Sequence, residues 1–375
     1  MMKRVLLALG IFLFVISRPV WAICTLDTTH VESAPMPLQL GAITAGADLA
    51  DGTVLYKQTY NLDFTSGNQA ITVTCTGNGN PSGHYTYSST PLPLSSWSSG
   101  IESGKVYETG VPGIGVWVHQ GTTGDAALPV SKLLSNSGDV HCSLTGGNNQ
   151  CIVFGGFKRW DVYLIKTGPI QPGTIVGSNL PCIRVNYNVS GSPSEGLVEE
   201  NVCMSGTINV VASSCKTPDV TVPMGSYDVS SFSGKGSATK WVNASIKLTD
   251  CPVYYGHGSS GSWYVDASGT NNSGTPTKNA LTVRLTPATA VINSSQGIFG
   301  LTPTTDSAGG AGIQLAYGSS ASPELVDFNA TKTYEMDIGS TGISEIPLVA
   351  RYIQTDTKVT PGVANSAVTF LINYY

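Results

Sequence analysis

The chain has 375 residues, a formal net charge of −5, 41% hydrophobic residues and only 11% charged ones. It carries no Lys/Arg cluster, which excludes the electrostatic footprint of a nucleic-acid binder. Its 43 Gly and 21 Pro are spread along the length, with no long amphipathic helical pattern between them.

At the start, Lys3 and Arg4 precede the apolar run Val5–Ile16, and Val20-Trp21-Ala22 supplies small or β-branched residues where a signal peptidase cuts. Residues 1–22 are therefore predicted to be a secretory signal peptide, too short to span a membrane. Cleavage after Ala22 leaves 353 residues (375 − 22) beginning Ile23-Cys24. Losing Lys3, Arg4 and Arg18 moves the net charge from −5 to −8. No later segment reaches ~18 uninterrupted apolar residues, so no membrane insertion is expected. All eight cysteines, Cys24, Cys75, Cys142, Cys151, Cys182, Cys203, Cys215 and Cys251, lie in the mature part. An even count in an exported chain points to disulfides while leaving the connectivity open. Pairing by neighbours is preferred: Cys24–Cys75, Cys142–Cys151, Cys182–Cys203 and Cys215–Cys251. No C-x-x-C occurs, which speaks against a redox or zinc-ribbon motif.

Short alternating runs recur along the mature chain: Ala70–Cys75, Gly113–His119, Val162–Ile165, Ile183–Val189, Thr207–Ala212, Val242–Leu248, Ala280–Leu285 and Ile346–Tyr352. Turn-rich stretches such as Gly77-Asn78-Gly79-Asn80-Pro81 separate them. This texture predicts an all-β protein built of β-sandwiches. The length suits two domains, with a boundary in Ser205–Ser214, here set as 23–209 and 210–375. Residues 23–212 contain six cysteines and are expected to fold alone. The chain closes on Gly362–Tyr375, where Val368, Phe370, Ile372 and Tyr374 fall at spacing two. That is a half-buried strand with no Pro or charge to blunt its edge, so something must cover it.

These residues resemble a known family. Cys215 and Cys251 bracket the start of the second unit. Trp241-Val242-Asn243-Ala244-Ser245-Ile246-Lys247-Leu248 leads into the second of them. Gly310-Ala311-Gly312-Ile313-Gln314-Leu315 follows in mid-domain, and Gly362 with penultimate Tyr374 ends the chain. Together they resemble a pilin domain of the chaperone–usher pilus family. The resemblance implies an incomplete immunoglobulin-like sandwich that lacks its last strand. Gly362, Val368, Phe370, Ile372 and Tyr374 would form the edge met first by a periplasmic pilus chaperone at the outer-membrane usher. The next fimbrial subunit would later donate a strand there. The few residues before Cys24 leave no room for a donor extension, and a β-rich domain precedes the pilin-like one. That arrangement resembles the two-domain tip adhesin of type 1-like fimbriae, whose N-terminal domain is usually a lectin-like sandwich for host or surface glycans. The resemblance places the protein, exported through the periplasm, at the fimbrium tip on the cell surface. Val111-Pro112-Gly113-Ile114-Gly115-Val116 also resembles a run in such adhesins and is read as a turn and strand with close backbone approach.

The ligand residues cannot be carried over from the resemblance, so candidates come from chemistry. Glycans are held by aromatic faces and by a few precise polar groups. Trp97, in a Ser-rich loop, is expected to be exposed. Trp160-Asp161 offers a ring beside a carboxylate. Trp117 and His119 share one face of their strand if Val116 and Val118 face the core. His30, His84, His119 and His141 lie in the first unit at uninformative spacing. A zinc site from His84, His119 and His141 is a minor alternative, and no cofactor is otherwise expected. No nucleophile, metalloprotease or P-loop motif is present, and Glu199-Glu200 reads as a solvated loop, so no enzyme is expected. The competing reading is a structural tip or adaptor subunit that binds only protein.

Overall fold

The structure, a computed structural model, describes residues 23–27, 33, 35–62, 71–77, 79–100, 102–120, 126–136, 140–145, 147–153, 159–190, 196–265 and 270–375. The signal peptide at 1–22 and His30 lie outside the described residues. Within them, regular structure is β throughout, apart from 3-10 turns at Gly177–Asn179 and Val229–Ser231. No helix among the described residues is long and apolar enough to cross a membrane.

Every alternating run named above contains strand, Ala70 lying outside the described residues. Gly113–His119 forms Ile114–Gln120, Val162–Ile165 lies inside Arg159–Lys166, and Ile183–Val189 lies inside Cys182–Val189. Two runs are broken: Val242–Leu248 into Val242–Asn243 and Ile246–Lys247, and Ile346–Tyr352 at Pro347, between Glu345–Ile346 and Leu348–Gln354. The alternation works because side chains of a strand point to opposite faces, so every second residue enters a core. Two separate cores result. The first gathers Leu55, Tyr56, Tyr60, Tyr85, Trp160 and Tyr187 with other residues from the N-terminal unit. The second gathers Leu281, Val283, Leu285, Phe299, Leu348 and Tyr374 with their neighbours in the C-terminal unit. The disulfides are Cys24–Cys75, Cys142–Cys151, Cys182–Cys203 and Cys215–Cys251, the neighbour pairing.

The expected boundary at 209/210 cuts a strand. Thr207–Ser213 pairs antiparallel with Gly173–Val176 and parallel with Ala42–Gly46, so it belongs to the first unit through Ser213. A second departure is larger. The main sheet of the first unit runs in the order Thr270–Asn272, Trp263–Val265, Val54–Asn61, Arg159–Lys166, Ile114–Gln120, Tyr107–Glu108. Its first two strands are a hairpin contributed by the C-terminal part of the chain. Trp263–Val265 lies parallel to Thr59–Asn61, Thr59 N donates to Ser262 O at 3.0 Å, and Tyr264 meets Tyr60 edge-on at 6.1 Å.

Glu199 and Glu200 are not in a solvated loop. They sit in the strand Leu197–Val202 at 2% and 1% exposure. The register slips here, pairing Val185 with Glu200 and Asn186 with Val198, so Glu199 is the extra residue of a bulge. A bulge re-aims side chains locally, which puts two consecutive carboxylates inside. Trp160 Nε1 donates to Glu200 Oε2 at 3.0 Å. The glycines of the Val111–Val116 run do serve close approach. Gly113 has φ +81°, and a Cβ on it would stand 2.3 Å from Pro169 O.

The two units are fastened by a buried polar junction. Asn279, 1% exposed, donates from Nδ2 to Thr44 O at 2.8 Å and to Tyr375 O at 3.2 Å, and accepts from Gly256 N at 3.0 Å. Thr44 N donates to Gly256 O at 2.9 Å, and Thr44 Oγ1 donates to Val253 O at 3.0 Å. At the same place Asp48 N donates to Tyr374 O at 3.0 Å while Tyr374 N donates to Asp48 Oδ2 at 2.8 Å. Gly46 has no room for a side chain, since a Cβ would lie 2.3 Å from Tyr374 O. Removing one partner from such a network strands buried donors and acceptors at ~1–3 kcal/mol each. Asn279→Ala is therefore expected to destabilise the full chain by about 3 kcal/mol. Urea unfolding followed by tryptophan fluorescence measures it, and an unchanged midpoint would show that the junction contributes little.

Candidate functional site

Two places in the fold gather the residues named from the sequence. The first is a groove in the C-terminal unit. The terminal strand Val368–Tyr374 pairs on one side with Ala280–Pro287, which in turn pairs with Lys332–Glu335. Among the described residues its other edge has no strand beside it. Val368, Phe370 and Ile372 are half-buried and Tyr374 is 6% exposed, whereas Leu371 on the alternate face is 57% exposed. The opposing sheet runs Val242–Asn243, Leu348–Gln354, Ala311–Ser319, Ile298–Gly300, Val291–Asn293. Between the two sheets lies a groove of about 550 Å³ whose lining includes Val222, Met224, Leu285, Phe299, Leu315 and Phe370. The stretch Pro218–Ser226 beside it forms no strand. The groove is thus an apolar slot with an unpaired strand at its margin. Gly362 is not part of that margin. It lies in the preceding loop, where a Cβ would stand 2.4 Å from Ala308 N, so close packing explains it.

The second place is the outer face of the main sheet of the N-terminal unit. Val116, Val118, Trp160, Val162 and Leu164 face the core, so Trp117, His119, Asp161 and Tyr163 face outward. Trp117 and His119 do share that face. Asp161 stands in register with His119 on one side and Thr59 on the other. It accepts from Thr59 Oγ1 at 2.5 Å, with Lys57 Nζ at 3.7 Å and His119 Nδ1 at 3.9 Å from Oδ2. Burial alone would raise the Asp161 carboxyl. The facing His119 ring, the hydrogen bond from Thr59 and the Lys57 charge outweigh it and hold the carboxyl below its ordinary value.

The aromatic candidates do not form an open platform. Trp160 is 0% exposed, because alternation sends it into the core and separates it from Asp161. Trp117 is 6% exposed and stacked on Tyr163, with centroids 4.3 Å apart and planes 7° from parallel. Lys57 Nζ lies 5.1 Å from the Tyr163 centroid. Trp97 is half-buried instead of exposed. Its Nε1 donates to Glu102 Oε1 at 3.1 Å and its ring packs with Val106, Trp117, Ala127 and Ile165. The Ser-rich neighbourhood hid this, because the partners Gly52 and Glu102 come from turns whose position no local pattern encodes. Lys57, Thr59 and Tyr163 were not singled out either, since cross-strand register has no local signal.

The histidines do not converge. His84 contacts Ser82 at 3.1 Å and Ser131 at 2.9 Å, His119 faces Asp161, and His141 lies in register with Ile152. Among the described residues no group of three His, Cys, Asp or Glu side chains is placed to hold a metal ion.

Residues 202–375 match a family model described as fimbrial protein. No curated protein matches the sequence. Among solved structures, the chain is similar to the CupB6 tip adhesin of Pseudomonas aeruginosa at 14% identity. The match covers 93% of this chain and 95% of that one, with a TM-score of 0.32. It is similar to the receptor binding domain of the adhesin MrkD1P of Klebsiella pneumoniae at 18% identity, covering 52% and 99%, TM-score 0.34. It is also similar to the CsuC–CsuE chaperone–tip adhesion subunit complex of Acinetobacter baumannii at 12% identity, covering 93% and 99%, TM-score 0.23.

Because the Asp161 carboxyl lies below its unfolded value, its stabilisation is fully present above about pH 4 and is lost as pH falls through the lowered folded value. Asp161→Asn is expected to flatten the acid side of the stability profile. Urea midpoints measured between pH 5 and 2 test this, and a profile identical to that of the unsubstituted chain would contradict it.

Proposed function

We propose that this chain, whose residues 202–375 match the fimbrial protein family model, is a two-domain tip adhesin of chaperone–usher fimbriae. The observation that carries the reading is the apolar groove bordered by the unpaired edge of Val368–Tyr374. An exposed strand edge over an apolar slot is a template for strand addition. In this reading the periplasmic chaperone fills the groove first, the subunit passes the outer-membrane usher, and the next subunit's strand replaces the chaperone's. Main-chain hydrogen bonds supply affinity, and side chains at spacing two enter the slot.

The segment leading into the pilin-like domain supports the tip position. Thr207–Ser213 is hydrogen-bonded on both sides within the N-terminal unit, so it is not an arm held ready for another subunit. The N-terminal unit is then the receptor-binding part, and the protein is adhesive and not catalytic. We assign its ligand as a glycan. Because Trp97, Trp117 and Trp160 are packed, recognition would rest on polar groups of the outer face, with Asp161, His119, Lys57 and Thr59 as one hydrogen-bonding set. That same packing favours, as the second reading, a tip subunit that binds a protein partner.

Deleting Ala367–Tyr375 is expected to abolish co-purification with the chaperone and to lead to degradation. Phe370→Asp, which places a charge in the slot, is expected to reduce co-purification at least tenfold. Stable soluble accumulation of either protein with normal chaperone capture would count against the groove reading. On a glycan array, binding by the full chain that a free sugar inhibits supports the lectin reading. Fibre assembly with no glycan bound supports the protein-binding alternative.

A further inference from the structure

The N-terminal unit does not close its main sheet by itself. The Thr59–Asn61 end of the strand Val54–Asn61 is interior because Trp263–Val265, itself paired with Thr270–Asn272, lies against it. Without the hairpin, the edge carrying the Thr59 amide would be bare, and Tyr264 would leave its place beside Tyr60 in the N-terminal core. A bare edge and an uncovered aromatic face both favour loosening or pairing with a second copy.

The hairpin is tied, link by link, to the terminal strand at the groove. Val368–Tyr374 pairs with Ala280–Pro287 along its whole length. Tyr375 N donates to Ala280 O at 2.8 Å, and Ala280 N donates to Tyr375 O at 3.0 Å. The preceding residue, Asn279, holds Thr44 O and Gly256 N. Gly256 leads directly into His257–Ser260 and, after Ser262, into the hairpin. The terminal strand itself reaches the N-terminal unit through the paired bonds between Tyr374 and Asp48. These contacts form one unbroken path from the groove to the Thr59 amide, the physical continuity that coupling between sites requires.

We propose that the C-terminal domain is the closing piece of the N-terminal sheet, and that filling the groove sets how firmly this sheet is closed. An empty groove leaves Val368–Tyr374 with one unpaired edge and an apolar face toward the slot. A strand so placed opens locally more often than an interior one. Each opening releases the Tyr374–Asp48 pair and loosens the grip of Asn279 on Thr44 and Gly256. A donor strand suppresses these openings, so the receptor-binding unit acquires its complete sheet only once the subunit is complemented. The inference rests on the reading of the groove as a strand acceptor.

The test is amide hydrogen exchange on the full chain, with and without a saturating synthetic peptide of alternating apolar residues taken from a pilin donor strand. The expected result is that the peptide slows exchange at least tenfold both in Val368–Tyr374 and at the Thr59 amide. Protection of the terminal strand with no change at Thr59 overturns the inference and leaves the groove reading standing. Protection at neither place overturns both. Two variants separate the path from general stabilisation. Tyr264→Pro removes a main-chain donor of the strand Trp263–Val265 together with the ring that meets Tyr60, and Asp48→Ala removes the acceptor for Tyr374 N. In each, the peptide should still protect the terminal strand while its effect at Thr59 falls to less than half. A full effect at Thr59 in both variants would show that the path is not the one described.

Discussion

Strand edges organise this molecule. A β-strand presents a row of N–H and C=O groups on each side, and buried polar groups left unpaired are costly. Three strands solve the problem in three ways. Thr207–Ser213 is paired on both sides inside the N-terminal unit. Val54–Asn61 has one side covered by a hairpin that the C-terminal part of the chain sends across. Val368–Tyr374 has a partner on one side only, and on the other it borders an apolar slot. The first solution is local, the second joins the two units, and the third leaves one edge unpaired beside the slot.

The second and third solutions meet at the junction around Thr44, Asp48, Asn279 and Tyr374. The junction is made of directional bonds and not of a broad apolar contact. Asn279 bonds Thr44 O across the junction as well as Tyr375 O and Gly256 N, and Tyr374 N bonds Asp48 Oδ2. Gly46 shows how tightly the backbones approach there. Such an interface tolerates little drift, because a shift of even an ångström takes these hydrogen bonds out of range. It therefore transmits order or loses it, and does not slide. His257 adds a sensitivity of its own. It is 8% exposed, its Nδ1 has no hydrogen-bond partner among the described residues, and burial lowers its pKa. Protonation would put a charge beside Gly256, so acid works against the contacts of this junction.

Much of the fold was legible because two of its signals are local. Alternation marked the strands, and neighbour pairing of Cys matched all four disulfides. The terminal pattern of Val368, Phe370, Ile372 and Tyr374 placed an apolar face where one exists. What escaped depends on register between distant strands. Pro81–Ser89 lies outside the alternating runs read from the sequence, yet it pairs with Cys182–Val189 along its length. Glu199 and Glu200 read as solvated because nothing local announces a bulge. Trp160 and Asp161 read as one pair because adjacency in sequence was taken for adjacency in space, whereas a strand sends neighbours to opposite faces. The hairpin Trp263–Asn272 escaped for the same reason on a larger scale: it pairs with a strand some 200 residues earlier.

The candidate site shows how this bears on recognition. Its aromatic residues were nominated as platforms, and the fold uses them as packing: Trp117 lies on Tyr163, Trp97 lies over Gly52, and Trp160 sits in the core. What remains on the outer face is a row of polar partners set by register, His119, Asp161 and Thr59. Hydrogen-bonding groups fixed by a sheet are held more rigidly than groups on loops, and a rigid array loses less entropy when it binds. Asp161 at the centre of this row is held below its ordinary pKa by its neighbours. Thr59 at one end of the row also pairs through its main chain with the strand that covers the edge of Val54–Asn61, so the edge problem that shapes the fold reaches this face as well.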